Sequence, residues 1–209
     1  MIGIIFSVIT SITAIIALIQ ANRQMKLSNK QQLFDRRLKV YMTVHGLLEL
    51  YRQNRHIFEM DKKNEVQRTI DLEYKWLTNN IFMAEICEVI DDPLEINYRR
   101  KFMKKCEELQ ALAMEVQFVF QNGNIKSYSD FLIYYKETLL QMCRYQIVFL
   151  KMCKENEKKP MRIEDWGKAF GEERYRKELC DIMVKLKNTY MEIIDNQVEE
   201  KIKQEIKLK

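Results

Sequence analysis

"MIGIIFSVITSITAIIALIQANRQMKLSNKQQLFDRR", residues 1–37, joins an apolar rod to a basic collar, and its reading decides the fold. From Ile2 to Ala21 there is no charged side chain, whereas Arg23 to Lys39 contains six Lys or Arg and a single acid, Asp35. Residues 2–21 wound as a helix extend about 30 Å, the thickness of a bilayer's hydrocarbon core. The run therefore predicts a transmembrane helix at 2–21. A cleaved signal peptide calls for a positive start, a shorter apolar stretch and small residues at the cleavage site. Here the start is Met-Ile-Gly, and Ile19 interrupts any Ala-x-Ala ending at Ala21. All nearby Lys and Arg lie C-terminal to the rod. The positive-inside rule then puts the N-terminus outside a bacterial inner membrane and the bulk of the chain in the cytoplasm.

Within the rod, alternating steps of four and three visit Gly3, Ser7, Thr10, Ala14, Ala17 and Ala21, every one small. Ile2, Ile5, Ile9, Ile12, Ile16 and Ile19 all lie off that line. Steps averaging 3.5 residues define a helix-pairing seam. Between membrane helices, small residues matter because they let backbones approach. The seam predicts self-association through this face, where Ser7 and Thr10 add hydroxyls that could bond across helices or wet a narrow lumen. Arg23, Lys26, Lys30, Arg36, Arg37 and Lys39 stand where anionic headgroups reach, each contributing on the order of 1 kcal/mol at the surface.

The remaining chain is rich in charge (31%) and poor in Gly (5) and Pro (2), a composition suited to helices. From Phe34 an apolar stripe runs through Leu38, Tyr41, Val44, Leu48, Tyr51 and Phe58. "MDKKNE" reads as a turn, followed by a helix from 65 to 90 with Val66, Ile70, Leu77, Ile81 and Ala84 inward. "DDP" at 91–93 ends it, because the residue before Pro93 is biased away from helix. A third helix from 94 to 121 turns Tyr98, Phe102, Leu109, Leu112, Val116 and Phe120 inward and closes at "QNGN". "SYSD" offers caps for a fourth over 130–155. A short turn anchored by Trp166 leads to a last helix from 172, which thins to alternating charge beyond Val198 and is expected to fray. The fold class expected is all-α: a transmembrane helix at 2–21, a basic juxtamembrane stalk helix at 22–60, and a cytosolic bundle of about five helices completed over 61–209 with a charged C-terminal helix.

Signals for chemistry are sparse. His45 and His56 are eleven residues apart, about 16 Å along one helix, too far to share a metal. "YRQNRHIF" (51–58) leaves three residues between Arg52 and His56, short of the four to six that separate the two in HEPN ribonucleases. No glycine-rich phosphate loop is present, and acidic pairs such as Glu107–Glu108 are sequence neighbours pointing apart. Five cysteines without a C-x-x-C spacing read as reduced core residues. The expectation is no enzyme, no cofactor and no metal. The net charge of +5 is mild, so nucleic acid stands as a disfavoured partner. The partners expected are a lipid bilayer, further copies of the chain, and an unidentified cytosolic ligand or protein.

The plan of a short N-terminal anchor followed by "FDRRLKVY" (34–41) resembles that of many bacterial single-pass inner-membrane proteins. It also resembles membrane effectors of anti-phage systems, whose short helices assemble into a pore when a cytosolic helical domain is triggered. That resemblance implies ion leakage through an oligomer of the 2–21 helix, with the bundle sensing a ligand or partner. A passive anchor that recruits a cytosolic partner, or a tethered nucleic-acid-binding bundle, is the alternative.

Overall fold

The computed structural model describes residues 2–58, 66–121 and 125–207, with the side chains of the first helix described from Thr10 onward. The described residues are helical with no strand. The elements are α1 (Ile2–Phe58), α2 (Ile70–Thr78), a 3₁₀ turn (Ala84–Ile86), α3 (Ile96–Val119), α4 (Ile125–Lys158), α5 (Ile163–Phe170), α6 (Glu172–Asp195) and α7 (Val198–Ile206). The all-α part of the expected class therefore stands, with seven α-helices among the described residues.

Its membrane part is corrected. Among the described residues no helix is long and apolar enough to cross a membrane. The described uncharged side chains run only from Thr10 to Asn22. Arg23 and Lys26 follow, and put charge into the described part of the helix. Gly3 and Ser7 lie outside the described side chains. Nor is the rod a separate element: it is the first third of one 57-residue helix.

α1 becomes part of the bundle where its apolar stripe finds partners. Val40, Val44, Leu47, Leu48 and Tyr51 are buried, whereas residues 10–33 are exposed. α4 is the spine. It packs along α6 and α3 and touches α2 and α5, while α1 rests on α2, α3 and α7. The core is aromatic at its centre. The Tyr51 ring meets Phe131 edge-on at 6.0 Å between centroids and Tyr190 at 5.1 Å. The Tyr135 hydroxyl donates to the Leu77 carbonyl at 2.5 Å, and the Tyr74 hydroxyl to that of Ile86 at 3.1 Å. These buried phenols thus serve backbone carbonyls that the helix ends leave open.

Three expected boundaries move, each for a local reason. The helix expected over 65–90 stops at Thr78. Asn80 Oδ1 accepts the Met83 N–H, a local side-chain-to-backbone bond that competes with helix continuation. Ile81 is consequently 99% exposed rather than inward. "SYSD" does not cap α4 but lies inside it, with Ser129 donating to the Ala113 carbonyl at 2.8 Å across to α3. The expected "QNGN" closure and the "MDKKNE" turn fall mostly outside the described residues. The charged tail does not fray: after a turn at Gln197 (φ 50°), α7 folds back with Val198, Ile202 and Ile206 buried. Those three sit four apart, a stripe hidden among Lys and Glu.

The division of α1 into a packed and a projecting part has a measurable consequence. Leu47→Ala should cost about 2–5 kcal/mol through cavity formation, while Met42→Ala, on an exposed position of the same helix, should stay within about 0.5 kcal/mol. Urea denaturation followed by circular dichroism reads both. Equal losses would mean that α1 does not dock as described.

Candidate functional site

The region that sets this molecule apart is the exit of α1 from the bundle. An α-helix returns to the same direction every 3.6 residues, so Ile12 lies ten turns from Leu48 on the same side. Ile12, Ile15, Ile16 and Ile19, spaced i, i+3, i+4, i+7, extend the bundle-facing stripe beyond the bundle, and all four are exposed. Thr10, Ala14, Ala17 and Ala21 occupy the opposite face and are exposed as well. Four of the six expected seam residues thus share one face of α1 and the large side chains the other, and both faces are exposed.

Of the six basic collar residues, two are engaged by the bundle. Arg37 donates through Nε to the Val119 carbonyl at 2.7 Å and through Nη1 to the Glu205 carbonyl at 3.0 Å. One guanidinium thus closes the C-terminal ends of α3 and α7, where open carbonyls and the helix dipole favour a cation. Arg36 bonds Glu115 at 2.6 Å, though largely in solvent, where such pairs contribute little. Arg23, Lys26, Lys30 and Lys39 are exposed on the helix surface. The expected collar thus divides into a clamp at the root of α1, three bases (Arg23, Lys26 and Lys30) on the projecting part, and Lys39 beside the packed part.

Between α1 and α7 lies a cavity of about 630 Å³. Lys30, Arg37, Lys201 and Lys207 supply positive charge to its wall, and Phe34 and Ile206 supply apolar surface. The carboxylate on the wall, Glu205, accepts the Gln121 N–H at 3.0 Å. Sequence reasoning overlooked Lys201 and Lys207 because the tail was expected to fray. The i, i+4, i+8 spacing of Val198, Ile202 and Ile206 was the available signal.

A second polar cluster fastens the far side of the bundle. The Tyr145 hydroxyl donates to Glu172 Oε1 at 2.5 Å and accepts the Gln67 N–H at 2.8 Å. Arg176 Nε lies 3.1 Å from the same carboxylate, and Gln67 reaches Glu73 through its amide. All are buried, so the ion pair acts where removal of one partner is costly. It ties α4 and α6 to the segment before α2, and Gly167 of α5 lies over Glu172 and Val66.

Elsewhere the expected chemistry-bearing residues are dispersed. His45 Nδ1 pairs with Glu199 Oε1 at 2.8 Å, tying α7 to α1, while His56 is exposed near the end of α1. Among the described residues no group of three or more His, Cys, Asp or Glu is placed to hold a metal. The five cysteines are free thiols. Burial pushes Cys106 up to about 11 and Cys143 up to about 12. Neither is a thiolate near neutrality. The chain matches no family model, no curated protein and no solved structure.

Two tests follow from this geometry. Arg37→Met should release the C-terminal clamp, speeding amide hydrogen exchange in 198–206 by about tenfold or more while α4 amides are unchanged; unaltered exchange in α7 would deny the clamp its role. The raised thiols stabilise the fold in their protonated form. That contribution is intact below about pH 9 and is lost as pH rises through about 11 and 12. The urea midpoint should therefore fall between pH 8.5 and 11, and less so in a Cys106→Ala, Cys143→Ala variant.

Proposed function

We propose that the chain is a membrane-associated, self-associating helical protein, with the projecting end of α1 seated in lipid and the bundle held beside the surface as a binding domain. The observation that carries this reading is the run of exposed isoleucines, Ile12 to Ile19, continuing the core stripe of α1 into a part of the helix the chain leaves uncovered. A helix with isoleucine on one side and small residues on the other is apolar all round, which water does not tolerate and hydrocarbon does. Arg23, Lys26 and Lys30 follow at the end of that stretch, where anionic headgroups attract them. The two faces divide the work: Ile12, Ile15, Ile16 and Ile19 meet lipid, while Thr10, Ala14, Ala17 and Ala21 let a second copy approach closely. Binding, recruitment and assembly are the activities this arrangement serves, rather than catalysis.

Flotation on vesicles of phosphatidylcholine and phosphatidylglycerol tests the reading. The full chain should float, Ile12→Lys with Ile16→Lys should remain at the bottom, and Arg23→Gln with Lys26→Gln should weaken partitioning by about tenfold or more. Thr10→Leu with Ala14→Leu and Ala17→Leu should float as the parent does, yet lose chemical cross-linking into multimers. A parent chain that stays at the bottom at every lipid concentration would overturn the lipid reading. Cross-linking unchanged by the bulky seam would overturn the self-association face.

A further inference from the structure

We infer that the cavity between α1 and α7 is a binding site for a small phosphate-bearing molecule with an apolar body. Its volume, about 630 Å³, lies in the range of small-molecule sites and far exceeds what inorganic phosphate fills. Its wall is two-natured: Phe34 and Ile206 offer apolar surface, and four cationic side chains converge on the same space. Other bases near this end of the molecule are matched to acids, Arg36 to Glu115 and Lys203 to Glu200. Lys201 and Lys207 have no ion pair among the described residues. The acid on the wall, Glu205, is turned to the Gln121 N–H, and Arg37 covers the nearby carbonyls of Val119 and Glu205. Glu205 keeps its charge, but the wall carries four cations against that one carboxylate, and Lys201 and Lys207 remain to receive an anion.

The site goes beyond the membrane reading and does not depend on it. Lys30 to Arg37 lie about 13–24 Å along the helix from Ala21. That distance separates the cavity from the apolar end of α1, so a soluble phosphate ester fits better than an ordinary lipid headgroup. Because the wall is built from α1 on one side and α7 on the other, an occupant joins the projecting helix to the C-terminal strap.

The test uses the full chain in detergent and 1-naphthyl phosphate as the probe, followed by its fluorescence and by calorimetry. We expect one saturable site per chain and at least tenfold weaker binding of inorganic phosphate, because the apolar wall goes unused. Lys201→Glu with Lys207→Glu should weaken naphthyl phosphate binding by at least tenfold while leaving the thermal transition in place. Arg23→Glu with Lys26→Glu, which alters the collar outside the cavity, should leave the affinity within twofold. Competition with phosphatidic acid vesicles separates the sources: displacement that requires Lys201 and Lys207 assigns the phosphate to a headgroup, and its absence assigns it to a soluble ester. No saturable binding at millimolar probe, or equal affinity in the Lys201/Lys207 variant, overturns the site.

Discussion

The unbroken register of α1 is the constraint on which the rest depends. One helix carries a stripe that is core at Val44 and Leu48 and uncovered at Ile12 and Ile16, and no break allows the two regions to rotate independently. Had a proline or glycine interrupted residues 22–34, the bundle and the projecting end would be separate bodies. Instead the direction in which the isoleucines face is set by how the bundle grips Val40 to Tyr51. The grip is apolar along its length and charged at its end. Arg37 makes that end definite by fastening the termini of α3 and α7 to the same turn of α1.

The bundle is built to make this grip stiff. α4, 34 residues and about 50 Å long, gives α2, α3, α5 and α6 a common neighbour. Tyrosines supply both bulk and bonds: Tyr51 packs among rings, Tyr135 and Tyr74 close backbone carbonyls, and Tyr145 joins the buried Glu172–Arg176 pair. A core of leucines alone would bury the same area with less directionality. Hydrogen bonds at the rim of an aromatic core select one packing, which suits a domain that must hold a long rod at a fixed angle.

Helix periodicity was legible wherever the stripe was long. Phe102, Leu109, Leu112 and Val116 face inward as their spacing indicates, and so do Tyr41, Val44, Leu48 and Tyr51. It failed where a short polar side chain competed with the backbone, as at Asn80, and where a buried stripe was only three residues long, as in α7. The membrane assignment rested on residues 2–21 taken in isolation; among the described residues no helix is long and apolar enough to cross a membrane, and the run belongs to a helix that continues into the bundle. The cavity was illegible for a different reason. Its two walls are about 170 residues apart in sequence, Lys30 and Phe34 on one and Lys201 and Lys207 on the other, and only the fold-back at Gln197 brings them together.

That fold-back places the cavity at a mechanically sensitive point. Beyond Phe34 the rod extends roughly 50 Å, so a tilt of about 5° at its root moves its tip by roughly 4 Å. The root is held by contacts of three kinds: the apolar stripe, the Arg37 clamp, and the pairing of His45 with Glu199 on α7. Two of the three run through the C-terminal segment. α7 is therefore less a tail than a strap across the base of the rod, and an occupant between strap and rod acts where a small displacement is amplified most. Under the proposed phosphate site, an occupant would bear at once on the strap and on the root of the rod, so its presence would be read as a change in the attitude of α1.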